Sequence, residues 1–262
     1  MLTGYYQVLV ALVLIAVAVV LSLWQRARLE KDLLVATVRA FVQLVAIGYA
    51  LEFIFDLNHP LLILLTIVIM MTVGAHTAAG RVKEVPSAFG IALLSISLGT
   101  FLTIGLMLLT RIISTEPKYV IPLAGMTIGN CMNAATLGLE RIHAEIVGKK
   151  EKIEAILALG ASSRQASLES CCVSVRAAMT PIVNIMKVIG LVQLPGAMTG
   201  MILAGASPVE AVRIQIVVVY MLASAVGIAS ISATRLSLRS YFTKFHQLQE
   251  VQQVVGSRQG GI

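Results

Sequence analysis

Charged side chains make up only 13 % of this 262-residue chain and aromatic ones only 5 %. The first scarcity excludes an ordinary soluble domain, in which about a quarter of the residues carry charge. Cysteine is sparse too: Cys131 and the adjacent Cys171 and Cys172 cannot supply the spaced, even-numbered framework of a disulfide-stapled fold, so all three read as reduced, small apolar residues. No basic residue precedes the first apolar run, MLTGYYQVLVALVLIAVAVVLSLW. The cleavable-signal pattern is therefore missing, and the run is expected to stay as a first helix. The chain also lacks GxxxxGK[ST], HExxH and GxSxG, so it carries no P-loop for nucleotide phosphates and neither of those two hydrolase signatures.

What the chain has in quantity is apolar length, with 58 % hydrophobic residues and a mean hydropathy of +0.90. A spanning helix needs about 20 apolar residues to cross a hydrocarbon layer of about 30 Å. Seven stretches qualify: Tyr5–Leu23, Leu33–Phe55, Pro60–Ala79, Ala88–Leu109, Tyr119–Gly138, Ala177–Leu194 and Val209–Ala233. The expected fold is an all-α polytopic transmembrane helix bundle of about seven spans. Residues 1–233 form one membrane domain that includes a polar loop over 139–176. Residues 234–262 form a polar tail whose last ten or so, ending GSRQGGI, are expected to be disordered.

The 20 Lys and Arg exceed the 13 Asp and Glu, yet they lie between apolar segments rather than along one face, which argues against nucleic acid as a partner. Fifteen of them fall in the loops after spans 1, 3, 5 and 7, against Arg111 and Lys118 alone in the other loops. The positive-inside rule then sets the N-terminus outside and the C-terminus in the cytoplasm.

Two segments break the pattern. Between Ala134 and Val175 charge returns, with Ile142, Ile146, Ile153, Ile156 and Leu157 at helical spacing and a turn at Gly148. This segment should project from the bundle, with a short helix ending near Gly160. Within it, EAILALG places acidic Glu154 and the stop residue Gly160 towards opposite ends of one helix. That pattern fits a rigid element on which a partner pushes, and equally an amphipathic interfacial helix. The second segment, LPGAMTGMILAGASP, is too short to span and is bounded by Pro195 and Pro208. It reads as a broken half-helix with a Gly196–Gly200 small-residue ridge.

Ionisable groups deep in apolar helices cost about 2.5–3.5 kcal/mol on insertion scales and so mark function. Arg39, Lys187 and Arg213 are the cations in this position. Arg39 and Arg213 can snorkel, whereas Lys187, near the middle of the sixth stretch, either lines a substrate path or joins a buried pair. The amides Gln43, Asn130, Asn133 and Asn184 serve as interhelical bonds or path lining, and Met198 and Met201 lie in the half-helix. Glu52, Asp56 and His59 cluster at one end of the second span. They fit a metal-binding group, with Cys131 as a soft ligand, or simply a solvated helix end. The excess of unpaired intramembrane cations leans toward an anionic solute.

EAILALGAS resembles the first half of the EAA loop of ABC-transporter permeases, whose helix docks on the ATP-binding subunit. The second half departs, reading ESCCVSV with the proline only at Pro181. Over nearly the whole chain, TVRAFVQLVAIGYAL, GMTIGNCMNA, EAILALGAS and LPGAMTGMILAGASPVEAVRIQIVVVYML resemble the FetB/YbbM family of bacterial ABC permeases. That resemblance implies a permease of the bacterial inner membrane, active in iron export and built as a homodimer. A separate FetA-like subunit would bind ATP and magnesium, with no cofactor in this chain. It also implies plant relatives linked to aluminium tolerance and nucleotide-sugar transport. Glu154, Ala155, Gly160, Ala161 and Ser162 are the implied coupling residues. An anion-carrying permease and a non-transporting scaffold or receptor subunit are the alternatives.

Overall fold

The computed structural model describes residues 2–25, 30–57, 59–243 and 245–249. Among these residues ten helices are defined: α1 (Leu2–Trp24), α2 (Glu30–Leu57), α3 (Pro60–Arg81), α4 (Ala88–Leu109), α5 (Pro117–Gly148), α6 (Lys150–Ala158), α7 (Ser163–Ala166), α8 (Leu168–Val188), α9 (Gly196–Leu203) and α10 (Pro208–Tyr241). Among the described residues the only β-pairing is two isolated bridges. The chain is an all-α polytopic bundle. Among the described residues six helices, α2–α5, α8 and α10, are long and apolar enough to cross a membrane. In α1 the apolar stretch counted among the described residues is shorter, Leu12–Trp24, so the count is six where the sequence suggested about seven.

Two compact units divide the chain at His59 and Pro60. In the first, α1 and α2 pack on each other. Their flanks are apolar and open, with Leu14, Val35 and Leu44 at the surface.

The second unit is organised on α5, which packs against α3, α4, α8 and α10. Lipid is as apolar as leucine, so helices in a membrane gain little from burying large apolar groups and associate through close packing of small ones. The fully buried positions follow this rule: Ala75, Ala92, Ala124, Ala135, Ala225 and Ala229 lie at the seams. At the tightest crossing, a Cβ placed on Gly99 of α4 would come within 2.8 Å of both the Ala225 carbonyl oxygen and the Cys131 Sγ. Several hydroxyls on the buried faces bond within their own helix, as Thr103 Oγ1 does to the Gly99 carbonyl at 2.7 Å and Thr127 Oγ1 to that of Leu123 at 2.8 Å, which satisfies a polar atom that meets no water. Ser95 and Thr234 are buried without such a bond among the described residues.

Helix lengths place the loops. α5, with 32 residues, and α10, with 34, are about 48 and 51 Å long, well beyond an apolar layer of about 30 Å. Their excess meets at one end, where Ile142, Ile146, Ile153, Ala166, Tyr241 and Phe242 form a second small core. The elements that build this core, with Lys149 at the junction of α5 and α6, also carry Arg141, Lys152, Arg164 and Arg239, so the basic clustering read from sequence is spatial within this unit. α10 runs through Thr234, where the polar tail was expected to begin, because Thr234 and Ser237 are fully buried against the bundle. The expected disordered end at 253–262 lies outside the described residues.

The sixth stretch is corrected. In place of Ala177–Leu194, α8 begins nine residues earlier at Leu168 and stops at Val188, because Gly190 takes φ +82° and cannot continue a helix. Gly138, Ala178 and Thr234 stand on one rung, since a Cβ on Gly138 would meet Thr234 Oγ1 at 3.2 Å and Ala178 Cβ at 3.7 Å. From that rung α8 rises only to Val188, about 15 Å, whereas α5 continues to Pro117 for about 32 Å and α10 to Pro208 for about 39 Å. α8 therefore ends near half the height of its neighbours. The short α9 follows it, as the half-helix reading anticipated.

Candidate functional site

The short helix α6 projects from the basic end. Its first turn carries Glu151, favourable against the positive end of the helix dipole. Its far end is closed by hydrogen bonds from Gly160 N–H to the Leu157 carbonyl at 2.9 Å and from Ala161 N–H to that of Ile156 at 3.4 Å, with Gly160 at φ +88°. This is the double-bonded terminus for which glycine is preferred. Two residues on, Ser162 and Gln165 form a reciprocal capping box: Ser162 N–H donates to Gln165 Oε1 at 2.9 Å and Gln165 N–H to Ser162 Oγ at 3.4 Å. Gly160, Ala161 and Ser162 thus form a stiff corner between two helices.

One face of α6 is anchored and the other is bare. Ile153 is 1 % exposed within the second core, whereas Glu154, Ala155 and Ala158 are open to the surface and Leu159 is 88 % exposed. Glu154 meets Lys150 at 3.8 Å, a loose surface pair of little energetic weight. Beside this face runs a groove of about 540 Å³, lined on one side by Glu154, Leu157, Gly160 and Ala161 and on the other by a strap of chain over 245–248. The strap is returned to α7 by His246, whose Nδ1 accepts from Ser163 N–H at 3.3 Å.

A chain of ion pairs fixes the base of α6. Glu145, 8 % exposed, lies 2.7 Å from Arg141 and 2.8 Å from Lys149. Lys149 also reaches Glu169 of α8 at 2.9 Å, and Lys152 of α6 reaches the other Glu169 oxygen at 2.7 Å. The two carboxylates hold the Lys149 ammonium above its ordinary pKa, the Glu145 bond contributing most. One network therefore ties α5, α6 and α8. The half of it within α5 is visible in sequence as four-residue spacings, but Glu169 is twenty residues from Lys149 and nothing local marks it. The strap likewise had no signal.

The other candidates are scattered. Asn130 is half-buried, with Nδ2 donating to the Met126 carbonyl of its own helix at 2.8 Å, and Asn133 is exposed. Lys187 sits in the last turn of α8 instead of mid-helix, one turn from Asn184, and both are exposed. Met198 and Met201 are half-buried in α9, Arg213 is exposed near the start of α10, and Arg39 and Gln43 are exposed on α2. Cys131 is fully buried beneath Gly99. Glu52 and His59 are exposed at the end of the first unit, and the Asp56 side chain lies outside the described residues. Among the described residues, no three His, Cys, Asp or Glu side chains gather as metal ligands would.

Comparison with known proteins places this architecture. Residues 5–242 match the family described as "Uncharacterised protein family (UPF0014)". The chain is 39 % identical to "Protein ALUMINUM SENSITIVE 3" of Arabidopsis thaliana, over 95 % of this chain and 91 % of that one. It is 36 % identical to "UPF0014 membrane protein YjkA" of Bacillus subtilis, over 94 % and 98 %. With "Probable iron export permease protein FetB" of Escherichia coli it shares 37 % identity over 91 % and 92 %. No solved structure matches the chain.

Proposed function

This chain belongs to the UPF0014 family of multi-pass membrane proteins, and from that membership we propose that it is the permease subunit of an ATP-driven transporter that exports iron. The substrate follows the name of the Escherichia coli relative. The energy must come from another chain, since no P-loop is present. A separate ATP-binding subunit, carrying ATP and magnesium, grips α6, and two permease copies work as a homodimer in the bacterial inner membrane.

The observation that carries this reading is the construction of α6. It is short and closed by a rigid corner, bare on one face, and joined by ion pairs to two long helices of the bundle. A push on its bare face is delivered to α5 and α8 together, and rigid-body displacement of packed helices is how such bundles switch access. An interfacial helix needs only its apolar face in lipid, whereas here the apolar face is spent on the protein's own second core.

A second reading has its own observation. Lys187 has no carboxylate partner among the described residues, which suits an anionic solute such as a nucleotide sugar better than a bare cation. The test is reconstitution with the cognate ATP-binding subunit and measurement of ATP hydrolysis with ferrous iron, other divalent metals and nucleotide sugars. Stimulation by iron is expected. Stimulation by the nucleotide sugar alone would transfer the assignment to the anion. Assembly with no stimulation by any solute would favour a scaffold.

A further inference from the structure

The strap beside α6 is a built turn, and a titratable side chain ties it down. Phe242 and Leu248 form an antiparallel bridge, Thr243 N–H donates to the Gln247 carbonyl at 2.8 Å, and Gln249 N–H donates to that of Tyr241 at 2.9 Å. Thr243 Oγ1 accepts from the N–H groups of Phe245 and Gln247 at 3.3 and 3.2 Å. The chain thus doubles back at the end of α10. His246 takes φ +60°, in the left-handed region that asparagine, aspartate and histidine enter more readily than other residues with a Cβ.

The His246 ring meets α7. Its Nδ1 lies 3.3 Å from the Ser163 nitrogen and 3.0 Å from Ser163 Oγ. A backbone N–H can only donate, so Nδ1 is here the bare, accepting nitrogen of a neutral imidazole. Protonation would set donor against donor. Imidazole changes charge between about pH 5 and 8, so the contact is kept at the alkaline side of that range and lost as pH falls through it.

The charged groups near the ring set where a released strap goes. On α7, exposed Arg164 follows Ser163 and repels an imidazolium, whereas Glu154 of α6, across the groove, attracts one. Glu154 is held only by its loose pair with Lys150 at 3.8 Å. At the strap's stem, buried Tyr241 bonds His143 at 2.9 Å within the second core, and Lys244 lies outside the described residues. Phe245 of the strap, 84 % exposed, lines the groove with Leu157 and Ala158 of α6. Closing the groove buries apolar surface that now lies open.

We propose that the strap is a pH-sensitive latch on α6: neutral His246 pins it to α7 and leaves the bare face of α6 open, and protonated His246 frees it to close on Glu154 and Ala158, covering the face that the ATP-binding subunit grips. The covering rests on the coupling reading of α6, and the release of the strap does not. A fall in pH at this end of the bundle then uncouples the permease from its energy source.

The experiment uses the full-length chain in lipid nanodiscs as wild type, His246→Asn and His246→Ala, at pH 5.5 and pH 8.0. Asparagine offers Oδ1 in place of Nδ1, accepts the positive φ and does not titrate. Hydrogen exchange of the segment 160–166 is compared between variants at one pH, so that intrinsic rates cancel. Wild type and His246→Asn should exchange alike at pH 8.0, wild type should exchange about threefold faster at pH 5.5, and His246→Ala should be fast at both. Wild type and His246→Asn alike at both pH values would overturn the latch. Retention of the cognate ATP-binding subunit should be equal for wild type and His246→Asn at pH 8.0, and about threefold lower for wild type at pH 5.5. Equal retention at both, with the exchange switch present, would overturn the covering of α6. No retention by any variant at either pH would overturn the coupling reading, and the exchange result would still decide the latch.

Discussion

Gly99 and Gly160 are both glycines for physical reasons, and the reasons differ. At Gly99 the constraint is space: a methyl group there would lie 2.8 Å from a backbone oxygen that cannot step aside and from the Cys131 sulfur. Gly99→Ala should therefore push α4 from α10 and cost about 1–3 kcal/mol, as overpacking does. Thermal unfolding in detergent would read it, and an unchanged midpoint would show that the seam is looser than described. At Gly160 nothing lies within 4 Å, and the constraint is φ +88°. Gly160→Ala should cost roughly 1–2 kcal/mol through backbone strain. Because that strain bears on the corner at Ala161 and Ser162, substrate-stimulated ATP hydrolysis should fall while membrane insertion is kept. The spacing of EAILALG made Gly160 legible as a helix stop. Gly99 lies among other small residues of α4, and only the approach of α10 distinguishes it.

At the scale of the element, α6 separates stability from coupling. Glu145 is nearly buried between two cations, whereas Glu169 meets two lysines at the surface, where solvent screens them. Glu145→Gln should cost about 1–3 kcal/mol, the range for a hydrogen bond to a charged group. Glu169→Gln should cost less than about 1 kcal/mol in spite of its two partners. Denaturation midpoints of the two variants in low and high salt would check the order, and the reverse order would contradict the burial argument. Leu159 is 88 % exposed, so Leu159→Asp should leave stability within about 0.5 kcal/mol. On the coupling reading it nonetheless abolishes co-purification with the ATP-binding subunit. If the complex survives, α6 is not where the subunit grips.

For the whole molecule, the decisive residue is Lys187, because on the proposed transport reading its charge would bear on which solute is accepted. Lys187→Met keeps the length and apolar stem of the side chain and removes only the ammonium. In vesicles it should abolish flux of a nucleotide sugar if the solute is an anion. It should leave or raise iron flux if the solute is a bare cation, since a like charge in the path repels it. Measuring both fluxes on the same preparation distinguishes the two readings. In sequence Lys187 falls near the middle of an apolar stretch, whereas in the structure it stands in the last turn of α8. What the stretch did not reveal is that the helix ends there.

Composition alone determined that this is a membrane-spanning helical bundle, because long apolar runs with few charges have no other stable solvent. Local patterns also determined the projecting loop, the stop at Gly160 and the short helix after Pro195, since turns and caps depend on neighbours a few residues apart. Tertiary structure decided the rest: that Glu169 clamps Lys149 and Lys152, that the strap at 245–248 borders α6, and that α8 ends half-way up its neighbours. Hydrophobicity measures how readily a segment enters lipid and says little about where along the bundle it stands. That register is set by small-residue contacts such as Gly138 against Ala178 and Thr234, which join residues far apart in the chain.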